Sequence, residues 1–149
     1  MKVEINKRKA APKIPDRIDI HCSCAALSYD EISQYAPGES SAAIRERVIK
    51  ARHIQEVRYK DVKGVHCNAQ MSERMISEFC RKGMSEESLA LLRMGMEKLK
   101  LSARAYNRIL KVARTIADLE GCEQVQSHHI AEAISYRELD RGDWAERGI

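Results

Sequence analysis

The sequence predicts an all-α fold: a small bundle of about five helices preceded by a strand-like or disordered N-terminal arm. Three observations lead there. Aromatic residues make up only 5% of a chain that is 44% hydrophobic, so the core must rest on Leu, Ile, Val, Met and Ala, which suits helices better than a sandwich or barrel. Apolar residues recur at helical spacing in successive segments, each opened by a serine and several closed by a glycine. Only DRIDIHC, in which Ile18, Ile20 and Cys22 alternate with Asp19 and His21, has the period of a strand. A lone strand cannot satisfy its backbone groups or form a sheet, so it is either frayed or completed by protein outside this chain.

Residues 1–15 lack periodicity and carry Pro12 and Pro15; they read as a basic arm or linker. Residues 16–39 contain the alternating segment and SYDE, Ser28 to Glu31, whose spacing is that of a capping box opening a short helix to about Tyr35. Residues 40–140 form the helical domain and 141–149 a polar tail. A long helix is expected from Ser40 or Ser41 to about Tyr59, with Ile44, Val48, Ala51 and Ile54 on its inner side. The stretch from Asp61 to Ala69 reads as a loop. Ser72 caps a helix facing inward through Met75, Ile76 and Phe79, and Gly83 stands where its left-handed terminal residue belongs. Ser85 caps the next, with Leu89, Leu92, Met96 and Leu99 as its stripe and Gly95 either weakening it or admitting a close neighbour. The run from Leu101 to Leu119 follows, apolar through Ala105, Ile109, Val112, Ala113, Ile116 and Leu119, polar through Arg104, Arg108, Lys111 and Thr115, and stopped by Gly121. A last helix starts at Ser127 and presents Ile130, Ala133, Ile134 and Leu139.

Several chemistries are excluded for this chain alone. It has no G-x-x-x-x-G-K-[ST] loop, no G-x-G-x-x-G, no G-x-S-x-G and no H-E-x-x-H. No apolar run is long enough for a membrane span and the N-terminus has no secretory apolar core, so a cytoplasmic protein without a membrane partner is expected. Five cysteines without a regular framework read as free thiols. Two alternatives stay open. Arg45, Arg47, Lys50, Arg52 and Arg58 crowd the first long helix, partly offset by Glu46 and Glu56; with the basic arm they could form an autonomous nucleic-acid-binding domain, or simply a solvated face. Cys22, Cys24 and Cys67, with His21 and His66, could hold a metal or be small buried hydrophobes; no metal is expected. His128 and His129 read as surface groups, because adjacent helical positions point about 100° apart.

Arg104 is the oddest residue. It lies two positions after Ser102, the natural N-cap, where a cation opposes the helix dipole at a cost of roughly 0.3–1 kcal/mol. Either it is a solvated surface arginine or its guanidinium awaits an anion that also favours a helix N-terminus.

The segments DRIDIHC, SYDEIS, PGESSAAIRERVIKAR, CNAQMS, LSARAYNRILKVARTIADLEG and HHIAEAISYRELDR, in that order, resemble the C-terminal part of the magnesium-chelatase-like AAA+ ATPases, most closely the competence-protein ComM (YifB) type. The likeness runs from Asp16 to Asp140. It implies a helical lid that closes over nucleotide held by a separate core. Arg17 matches the arginine finger, acting in trans on ATP of a neighbouring subunit, and Arg104 matches the sensor-2 arginine facing the γ-phosphate. Two features depart from the family. KAAPKIP stands before Asp16 in place of a glycine-proline-leucine-leucine run, and Cys-Ser-Cys at Cys22 to Cys24 replaces a more acidic and aliphatic strand. The resemblance further implies ATP and Mg2+ as cofactors of the full-length parent, with neither bound tightly by this chain and no ATPase activity in it alone. The implied partners are its own AAA+ core, the neighbouring subunits of a hexamer, and DNA processed by the parent.

Overall fold

In the computed structural model, residues 38–137 are described continuously, together with 18–20, 22, 26, 28, 29 and 33. Within residues 38–137 five helices arise at the segments of helical periodicity, four of them behind serine caps and the last behind Gln126. Helix α1 is Ser41–Tyr59, and the Ser40 side chain accepts from the Ala43 amide as its N-cap. A 3₁₀ turn follows at Asn68–Gln70. Helix α2, Glu73–Ile76, is capped by Ser72 and continues as a π-helical turn, Ser77–Arg81. Helix α3 is Glu86–Leu99, capped by Ser85; α4 is Ala103–Glu120, capped by Ser102; α5 is Ser127–Ser135. Gly121, at φ 74°, ends α4 in the left-handed conformation that glycine adopts without a Cβ penalty.

Helix α4 is the centre of the bundle. It packs against α1, the 3₁₀ turn and α2 with its π turn on one side and against α5 on the other, while α3 packs chiefly on α5. The core joins Ile109, Leu110, Ala113, Ile116 and Ala117 of α4 to Tyr59, Ile76, Cys80, Leu92, Ile130 and Ala133. Burying a side chain such as Leu110 contributes about 1.5–3 kcal/mol relative to leaving it in water. Gly95 serves close packing: a Cβ there would lie 2.6 Å from Ile134 Cδ1, so glycine is what lets α3 and α5 approach. No helix among the described residues is long and apolar enough to cross a membrane.

Some expectations need correction. Ile18 to Ile20 and Cys22 are irregular, not a strand, and Ile18 and Ile20 stay 41% and 48% exposed, for no strand among the described residues supplies the ladder that alternation requires. The inner face of α1 is Ala51, Gln55 and Tyr59; Ile44 and Val48 are 42% and 40% exposed because the first half of α1 overhangs the core. Leu119 is likewise exposed, beyond the arc of α4 that its neighbours cover. Tyr29 and Ser33 are helical, but the rest of the predicted helix after Ser28, the arm 1–15, Leu139 and the tail lie outside the described residues.

Candidate functional site

Helix α4 carries the site, and it is built differently at its two ends. At its start, Ser102 is extended (φ −75°, ψ 162°) and its hydroxyl accepts from the Ala105 amide at 3.2 Å. This cap, with Ala105 buried at 1% exposure, fixes the first turn and sends Arg104 outward, where it is exposed. The other cations of α4 are engaged. Arg108 is ion-paired to Asp19, Lys111 Nζ donates to the Ala69 carbonyl at 2.8 Å, and Arg114 lies in the interior. Among the described residues Arg104 has no such partner.

The far half of α4 holds a buried polar network that pattern reading did not find. Asp118, 1% exposed, accepts from Arg58 through both carboxylate oxygens, from Arg114 Nε at 3.1 Å and from Asn68 Nδ2 at 2.8 Å. Arg114 also donates to the carbonyls of Glu123 at 2.8 Å and Cys122 at 2.5 Å. Asn68 accepts from the Tyr59 hydroxyl at 2.7 Å and donates to Thr115 at 3.0 Å, and its amide is received by Gln55 at 3.1 Å. Burial works against the Arg58 charge, but the hydrogen bond and charge of Asp118 outweigh it and hold the guanidinium firmly protonated. Arg58 is thus withdrawn from the basic face assigned to α1. On the remainder of that face Arg47 is held by Glu39 in a two-point ion pair at 2.6 and 2.9 Å. Lys111 and Thr115, expected on the outer side of α4, are covered by the 3₁₀ turn. The sequence did carry one signal, Arg114 and Asp118 one helical turn apart beside the apolar stripe; Arg58 and Asn68 are too distant in the chain for any local pattern to connect them.

A third cluster closes the C-terminal end. Glu120 Oε2 receives His128 Nε2 and His129 Nε2, each at 2.9 Å, which draws its carboxyl below its ordinary pKa. His129 is fully buried, which corrects its reading as a surface group: side chains that diverge around α5 still reach one carboxylate at the end of α4. Glu120, Cys122 and His129 bring ligand atoms within 4.8 Å of one another, as a metal would require. The Gln126 amide, however, donates to His129 Nδ1 at 2.9 Å. The ring proton therefore sits on Nε2, whose lone pair is withdrawn from any ion. The arrangement is a hydrogen-bonded helix cap. Of the cysteines weighed as ligands, Cys67 faces Gln70, Cys22 is exposed and Cys24 lies outside the described residues, as does Arg17.

Fold and site together define a small all-α module: a central helix locked at one end by buried charge and presenting an arginine at the other. Residues 38–137, the continuously described domain, match the family described as "Magnesium chelatase, subunit ChlI C-terminal", and the chain belongs to that family. It is 38% identical to "Competence protein ComM" of Haemophilus influenzae over 127 residues, 85% of this chain and 24% of that protein. It is 39% identical to "Uncharacterized protein YifB" of Salmonella typhimurium over 127 residues, again 85% of this chain and 24% of the other. An uncharacterized protein of Mycobacterium bovis is 30% identical over 130 residues, 87% of this chain and 25% of its own length. The chain thus spans about a quarter of the length of the curated relatives it matches. It is a C-terminal lid module of the magnesium-chelatase-like AAA+ type.

Proposed function

We propose that this module is the sensor-2 lid of an AAA+ ATPase, reporting nucleotide state to the ring in which the full-length protein assembles. The observation that carries the reading is Arg104, held by a capped first turn yet given no partner among the described residues, on a helix whose other cations are engaged. A guanidinium beside helix-terminal amides suits phosphoryl oxygens: both supply positive potential, and the fork matches oxygen pairs. ATP with Mg2+, held by the core of the full-length protein, supplies the transferable phosphoryl group. Arg104 binds and orients its γ-phosphate oxygens and stabilises the charge that develops there. Arg17 fills the finger role toward the neighbouring subunit of a hexamer.

We further propose, from the family resemblance alone, DNA processing as the task of the ring, in the cytoplasm; the name of one relative speaks only of competence. The test is Arg104→Ala in the full-length protein. ATP turnover is expected to fall about 100-fold, the scale of losing one preorganised charge-stabilising donor. Circular dichroism and melting should stay at the parental values. Turnover within twofold of the parent overturns the role.

A further inference from the structure

The cap that joins the end of α4 to the start of α5 holds two unlike histidines. His129 is fully buried, and the Gln126 amide fixes its Nδ1 as an acceptor and so its Nε2 as a donor to Glu120. His128 donates to the same Glu120 oxygen, but its side chain is 53% exposed and its Nδ1 has no partner among the described residues. The His128 proton can therefore shift from Nε2 to Nδ1, which leaves the Nε2 lone pair facing Glu120. The Cys122 thiol also reaches that oxygen, donating at 3.9 Å. The backbone carrying this thiol is fixed. After the left-handed Gly121, the Cys122 amide donates to the Ala117 carbonyl at 2.8 Å, and the Cys122 carbonyl accepts from Arg114.

We propose that Glu120, Cys122 and His128 form a Zn2+ site that clamps the corner between α4 and α5. The spacing fits. Tetrahedral zinc sets N···O and O···S ligand pairs about 3.4 and about 3.6 Å apart. Here His128 Nε2 lies 2.9 Å and Cys122 Sγ 3.9 Å from Glu120 Oε2. Shifts of about 0.5 and about 0.3 Å reach the metal geometry, in side chains that solvent can approach: Glu120 is 43% exposed and Cys122 half-buried. Water completes the tetrahedron. Thiolate, imidazole and carboxylate together suit zinc, whereas Mg2+ takes an octahedron of oxygens and does not select a thiolate. On binding, the Cys122 S–H bond gives way to S–Zn and its proton passes to solvent, while the His128 proton moves from Nε2 to Nδ1. One proton leaves per metal bound. His129 keeps its Nε2–H on the Glu120 carboxylate, the kind of outer hydrogen bond that orients a ligating carboxylate. The cysteines that the sequence brings forward, Cys22, Cys24 and Cys67, take no part.

The test is Zn2+ added to this chain with a non-thiol reductant present. Calorimetry in buffers of different ionisation enthalpy should show one Zn2+ bound and one proton released per chain. Co2+ in its place should give a thiolate-to-cobalt charge-transfer band. At a hundredfold excess over its Kd, Zn2+ should raise the unfolding midpoint by about 10 °C, and a large excess of Mg2+ should not displace it. Cys122→Ser and His128→Gln should each weaken zinc binding at least about 10-fold, with circular dichroism at the parental values. The triple variant Cys22→Ser, Cys24→Ser, Cys67→Ser should bind within about twofold of the parent. The absence of binding near one equivalent overturns the proposal, as does parental affinity in either Cys122→Ser or His128→Gln. Loss of binding in the triple variant overturns it as well, since the metal then belongs to those cysteines.

Discussion

The two ends of α4 use the same residue type to opposite effect. Near the C-terminal end, Arg114 and its partner Arg58 are drawn into the interior, where Asp118, Asn68 and backbone carbonyls occupy their donors. At the N-terminal end, Arg104 stands in solvent on a turn fixed by Ser102 and Ala105. An arginine whose donors are all met inside the fold contributes to holding the helices together. An arginine held in place without such partners is available to a ligand.

The largest expected break in this contrast is Asp118→Ala. It leaves the buried Arg114 and the part-buried Arg58 guanidinium groups without their shared carboxylate, and should destabilise the domain by about 3–5 kcal/mol in denaturant unfolding. A loss under about 1 kcal/mol would mean that water replaces Asp118 and that the network is not the structural centre described above.

Alkaline titration sharpens the contrast from its buried side. Burial pushes the Cys80 thiol from 9.0 to about 12, and burial, partly opposed by Arg58, pushes the Tyr59 hydroxyl from 10.0 to about 12. Both groups are neutral when protonated. The unfolded chain therefore releases their protons first, and the folded chain keeps them until about pH 12. Stability is full below about pH 9 and falls as pH rises toward 12, by about 1.4 kcal/mol per pH unit for each group in its window. Unfolding midpoints between pH 8 and 11 check this; Cys80→Ala should delay the onset by about one pH unit, and an unaltered profile would contradict it.

The smallest effect is expected at the open end. Arg104→Ala should change stability by less than about 0.5 kcal/mol, since it removes an exposed side chain that opposes the helix dipole. A loss above about 1 kcal/mol would show that Arg104 has a structural partner after all, and would erase the difference between the two ends.

Much of the fold was legible because it is local. Ser40, Ser72, Ser85 and Ser102 cap where their spacing says, and Gly121 stops α4, since caps and stops depend on residues within one turn. Arg104 was legible for the same reason: its conflict with the helix dipole needs only the cap position. The reading failed where partners come from afar. DRIDIHC has a strand's alternation, but its described residues find no ladder among the others described, and its Asp19 instead meets Arg108, 89 residues on. His128 and His129 were judged by the geometry of one helix, whereas their carboxylate belongs to another. Arg58 was counted on a basic face although its partner Asp118 lies 60 residues away.

By itself, then, the sequence determined the all-α class, the capped starts of the helices in 38–137, the first-turn position of Arg104 and the family likeness, because periodicity, capping and motif order are properties of neighbours along the chain. Only the tertiary structure decided which charges are spent inside and which remain free to act. Pairing in a low-dielectric interior depends on distances between segments, and those exist only once α1, α4 and the Asn68 turn have packed together.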